Sequence, residues 1–127
     1  VVVMNPPYKE VGTGEINENE KKLISRHEIK ANLSDFIKTA SGLLKDKGEL
    51  YIVHKPERMP DIIQELRENK IEPKELRVVY SNKNSEASLI LIKAVKGGKK
   101  FLKIDRPLYI YNESGKYSDE IKQIYNV

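Results

Sequence analysis

"VVVMNPPY", residues 1–8, is the stretch whose reading decides the fold. Val1 to Met4 is too short and too apolar for a half-exposed strand with period-two alternation. It predicts a strand covered on both faces, the usual setting of a parallel sheet. Asn5, Pro6, Pro7 and Tyr8 follow at once. Two prolines fix two φ angles, push the residues before them into extended backbone and remove two N–H donors. What remains is a stiff turn presenting acceptors, the Asn5 side-chain oxygen and the Pro6 carbonyl, beside the aromatic face of Tyr8.

Further along the chain, helical and extended patterns alternate. After a long polar loop from Gly12 to Glu20, and a short helical turn through Leu23 and Ile24, the residues Leu33, Phe36, Ile37, Ala40, Leu43 and Leu44 recur at three- and four-residue spacing. That spacing predicts an amphipathic helix with these side chains on one buried stripe, capped by Asn32 and stopped by Gly48. "GELYIVHKP" (48–56) predicts a second strand, "PDIIQELRENK" (60–70) a second helix, and "ELRVVYS" (75–81) and "EASLILIKAV" (86–95) two strands joined by a short polar turn. The remainder reads as a short extended stretch, a turn at Gly115 and a terminal helix capped by Ser118. Strand, helix, strand, helix, strand, strand is the order of a parallel α/β sheet ending in one antiparallel hairpin.

Composition sets bounds on function. The chain has 127 residues, no cysteine and a net charge of +4, so one modest core is expected, a disulfide framework is excluded, and an anionic partner such as RNA is allowed. No apolar run approaches the roughly 18 residues of a membrane span, and a cytoplasmic setting is expected. Lys96, Lys99 and Lys100 around Gly97-Gly98 read as solvated surface charge. His27 and His54 have no ligand spacing for zinc, so no metal is expected.

In a parallel α/β sheet, ligands bind beyond the carboxyl ends of the strands, where Asn5 to Tyr8 falls. Two acceptors beside an aromatic face suit a planar heterocycle with an exocyclic amine, held by its two N–H groups and stacked on Tyr8. His54, Lys55 and Arg58 close the second strand at the same end, placed to meet substrate phosphates, although the residues by themselves favour plain surface charge; Arg26 and His27 are candidates to contact RNA or order the loop, with a helix-surface pair as the alternative.

"NPPY" after an apolar strand resembles the catalytic motif of S-adenosylmethionine-dependent amino-group methyltransferases. "GEINENEKKLISRHEIK" (14–30), "HKPERMPDII" (54–63), "IEPKELR" (71–77), "SEASLILIKAVKGG" (85–98) and "RPLYIYNESGKYSDEI" (106–121) are similar to segments of the bacterial tRNA1(Val) adenine-N6 methyltransferase group. The resemblance implies the C-terminal half of a Rossmann-like class I methyltransferase sheet, strands four to seven, with flanking helices. Residues 1–127 would be a partial catalytic domain lacking its cofactor-binding first half, and 101–127 an extension of it. It implies catalytic roles for Asn5, Pro6, Pro7 and Tyr8, with Asn5 also against the cofactor. It implies substrate contacts by Tyr8, Arg26, His27, His54, Lys55 and Arg58. The cofactor would be S-adenosylmethionine and the substrate tRNA, with the 127-residue chain inactive alone. The alternatives are methylation of a protein glutamine amide and a non-catalytic RNA-binding module. The first strand, with no neighbour upstream, is expected to pair with a second copy or to lie under the tail.

Overall fold

The computed structural model describes residues 2–4 and 33–126. In chain order these form β1 (Val2–Met4), α1 (residues 33–43), β2 (Glu49–His54), a 3-10 turn (Pro56–Arg58), α2 (Met59–Glu68), β3 (Ile71–Tyr80), β4 (Ala87–Lys96), β5 (Lys103–Ile104), β6 (Leu108–Tyr109) and α3 (Asp119–Tyr125). The expected element order is therefore present. Asn5 to Asn32, including the Asn-Pro-Pro-Tyr turn, Arg26, His27, the turn at Leu23 and the Asn32 cap, lie outside the described residues.

The spatial order is β1-β2-β4-β3-β5, with β6 also on β3. β1 and β2 are parallel, with Met4 opposite Ile52. β4 is antiparallel to both β2 and β3, so the last long strand is inserted between two parallel ones. The hairpin of β3 and β4 is as expected, but its second strand fills the interior of the sheet rather than extending its edge. β3 also begins earlier than predicted, at Ile71. The strand tolerates Pro73 because the ladder slips its register between Pro73 and Glu75, where a missing N–H costs little.

One face of the sheet is covered by α1 and α2. Leu33, Ile37, Ala40 and Leu44 pack with Ile62 and Leu66 onto Leu50, Ile52, Ile90, Ile92 and Ala94. Phe36 and Leu43, predicted on the same stripe, are 44% and 71% exposed. At 100° per residue the four buried positions centre on one direction, and these two fall on its flank. Among the described residues the other face is covered at the β3 end, where α3 and β6 bring Ile121 and Leu108 onto Val79, Leu89 and Leu91.

Val3 is 71% exposed, so the expectation that β1 is covered on both faces is not met among the described residues. The tail does not lie over β1 either: its strands β5 and β6 run parallel to β3, toward the opposite edge. Among the described residues β1 pairs with β2 alone. No helix among them is long and apolar enough to cross a membrane.

Candidate functional site

β1, β2 and β3 run in one direction, so their carboxyl ends share one edge of the sheet. Three features gather there: the exit from Met4 toward Asn5, the His54–Arg58 turn after β2, and the 81–86 turn after β3. Pro56 starts the 3-10 turn at its first position, where a proline nitrogen loses no hydrogen bond.

His54 stands at this edge but its side chain turns to the helix-covered face and is 1% exposed. Its Nδ1 accepts the Lys55 amide at 2.8 Å, so the neutral ring carries its proton on Nε2. Burial holds the imidazole below its ordinary pKa, and the Arg58 cation adds to this. Arg58 donates to Asp61 at 3.0 Å across the start of α2, which fixes the guanidinium beside the edge. Lys55 is exposed. Of the predicted phosphate contacts, the fold thus brings Lys55 and Arg58 to the edge and His54 beneath it.

The other basic cluster is remote. β4 ends at Lys96, on the opposite edge, and Lys96 is not solvated charge: its Nζ donates to the carbonyls of Ser41 and, at 3.0 Å, Leu44 at the end of α1. Lys74 likewise donates to the carbonyls of Lys99, Lys100 and Phe101 at 2.8, 3.1 and 2.9 Å. The Gly97-Gly98 turn is thereby tied down as structure, and no other glycine-rich turn follows a strand among the described residues.

Sequence reasoning missed a groove of about 1050 Å³ at the carboxyl edge, between the 82–84 turn and residues 109–119. It is lined by Asn82, Lys83, Tyr109, Tyr111 and Asn112 among others. The parts are far apart in sequence, and only the pairing of β6 with β3 joins them; four tyrosines within residues 109–125 were the one available signal.

The fold recurs in solved methyltransferase structures. One is a predicted O-methyltransferase, protein Atu636 from Agrobacterium tumefaciens, with a TM-score of 0.73 at 21% identity, matched over 98% of this chain and 50% of that one. Another is TTHA0409 from Thermus thermophilus, assigned as a DNA modification methylase, with a TM-score of 0.55 at 15% identity over 83% of this chain and 48% of that one. The chain thus spans about half the length of these proteins. No protein-family model and no curated protein matches it. What the fold defines is a half-sheet of the methyltransferase type, mixed α/β with flanking helices.

Proposed function

We propose that this chain is the target-recognition half of an S-adenosylmethionine-dependent methyltransferase acting on an amino nitrogen, with adenine N6 of tRNA as the substrate. The observation that carries the reading is the sequence Asn5-Pro6-Pro7-Tyr8 following directly on β1, which ends at the carboxyl edge shared by β2 and β3. The motif's resemblance supplies the substrate class, and the fold shared with methyltransferases agrees with it. Asn5 and the Pro6 carbonyl accept the two amine protons, which favours a pyramidal nitrogen with a directed lone pair. Tyr8 stacks on the ring, and positioning is the main catalytic effect. Lys55 and Arg58 meet the flanking phosphates, with Arg26 and His27 on the loop side. S-adenosylmethionine, when bound, supplies the methyl group. In this reading the 127-residue chain alone is inactive, and a second copy of it covers the edge of β1 that pairs with no strand among the described residues.

The test uses a longer polypeptide that carries this chain together with a cofactor-binding half. Methyl transfer from labelled S-adenosylmethionine to tRNA is expected, with the label in an adenine. Asn5→Ala should abolish transfer while cofactor binding persists; unchanged transfer removes the acceptor role. Label entering a glutamine of a protein instead would redirect the assignment. The half-length span favours one second reading, a non-catalytic RNA-binding module, whose mark is salt-dependent RNA binding by the chain with no cofactor affinity.

A further inference from the structure

β1, β2, β4, β3 and β6 lie side by side, so about four strand spacings, roughly 19 Å, separate the end of β1 from Tyr109 in the groove. That is too far for one base to touch both. The groove is a separate place on the same edge, and its lining has a definite chemistry.

Tyr111 and Tyr117 stack with ring centroids 5.6 Å apart and planes 13° from parallel. Tyr111 lines the groove and Tyr117 does not. Tyr117 therefore backs one face of Tyr111, a groove-lining residue that is 40% exposed. The platform is held from below: the Tyr111 amide donates to the Ser81 carbonyl at 2.8 Å and the Ile110 amide to Tyr80 at 2.9 Å. Around it stand two asparagines whose oxygens are committed. Asn82 Oδ1 accepts the Asn84 amide at 2.8 Å, and Asn112 Oδ1 accepts the amides of Ser114 and Lys116 at 2.9 and 3.1 Å. Their NH2 ends remain as donors.

The charges decide what the groove does not take. Lys83 faces Glu113 at 3.6 Å, and Asp119 adds a second carboxylate to the lining. One cation against two anions is no phosphate site. A planar group with acceptors on its edge fits: an aromatic face to stack on and amide donors for carbonyl or ring-nitrogen acceptors.

We propose that this groove is a second base-binding subsite, taking an unpaired RNA nucleotide that flanks the modified one, with its base on Tyr111 and its phosphates outside. The proposal rests on the reading of the chain as RNA-acting and deepens it.

The test is binding of a short unpaired oligoribonucleotide, carrying one 2-aminopurine, to the 127-residue chain. Fluorescence quenching is expected, with affinity about tenfold weaker for Tyr111→Ala and for Tyr111→Leu, which keeps bulk against Tyr117. Tyr111→Phe should bind within about twofold of the unaltered chain, as stacking needs the ring and not the hydroxyl. Replacing the stacked nucleotide by an abasic one should cancel the Tyr111 effect on affinity. Affinity of both loss variants equal to that of the unaltered chain overturns the proposal, as does binding of an unstructured peptide, but not the oligonucleotide, with the same Tyr111 dependence. Methyl transfer is read separately: if the longer protein methylates no RNA yet the Tyr111-dependent quenching persists, the amino-methyltransferase reading fails and the subsite stands.

Discussion

Lys96 shows how one side chain can serve as a helix cap from across the molecule. The last carbonyls of α1 lack helical partners, and the ammonium that donates to Ser41 and Leu44 satisfies two of them where negative partial charge collects. Lys96→Met should therefore cost about 1.5 kcal/mol, read as a lower urea midpoint with an unchanged slope. Gly97, next in sequence, has φ +67°, and Gly97→Ala should cost about 1 kcal/mol for the left-handed backbone alone. His54 gives a pH signature. Its folded pKa is lowered, so below about pH 6.5 the unfolded chain takes up the proton first and stability falls as pH drops, until the folded ring titrates too. The expected result is a urea midpoint that declines from about pH 7.5 to about pH 5, with a smaller decline in His54→Gln. Neither role of these residues was legible in the sequence, where Lys96 is one of 23 basic residues and His54 one of two histidines, because each depends on a partner more than thirty residues away or on burial.

At the scale of elements the sequence is more informative, because local period and turn chemistry act locally. α3 illustrates this: Ser118 reads as a cap, and its Oγ accepts the Ile121 amide at 3.3 Å while donating to the Tyr109 carbonyl at 2.5 Å. Ser118→Ala removes both and should lower stability by about 1 kcal/mol, with the loss confined to amides of the 109–125 region in hydrogen exchange. The stripe of α1 was readable in direction but not in width. Which of its flanks is covered depends on neighbouring elements, so Phe36 and Leu43 could not be sorted from Ile37 and Leu44 by spacing. The insertion of β4 between β2 and β3 was likewise hidden, since a hairpin turn fixes which strands pair but not what the second strand meets on its far side.

For the whole molecule, the distribution of cover is uneven. Among the described residues the helix-covered face buries thirteen clustered side chains, whereas the opposite face has cover near Val79, and Val3 and Tyr51 are exposed toward the β1 edge. Flat apolar strand edges invite further pairing. Self-association of the chain is expected by sedimentation, and Val3→Lys should shift it toward monomer; a monodisperse monomer of the unaltered chain would remove the second-copy proposal. The candidate site is legible to the same uneven degree. Its proposed motif, Asn5 to Tyr8, rests on the sequence and lies outside the described residues, whereas the groove was hidden from the sequence because the 82–84 turn and residues 109–119 meet only through the sheet.

The interior place of β4 also orders events in time. During synthesis β2 and β3 emerge before the strand that lies between them, and neither can complete its ladder until residues 87–96 have left the ribosome. Until then both expose unpaired backbone N–H and C=O groups beside apolar side chains, the condition that slows closure and favours mispairing. A nascent chain stalled before Ala87 would be the most aggregation-prone form of this protein, and one released after Lys96 could close its sheet before the tail arrives.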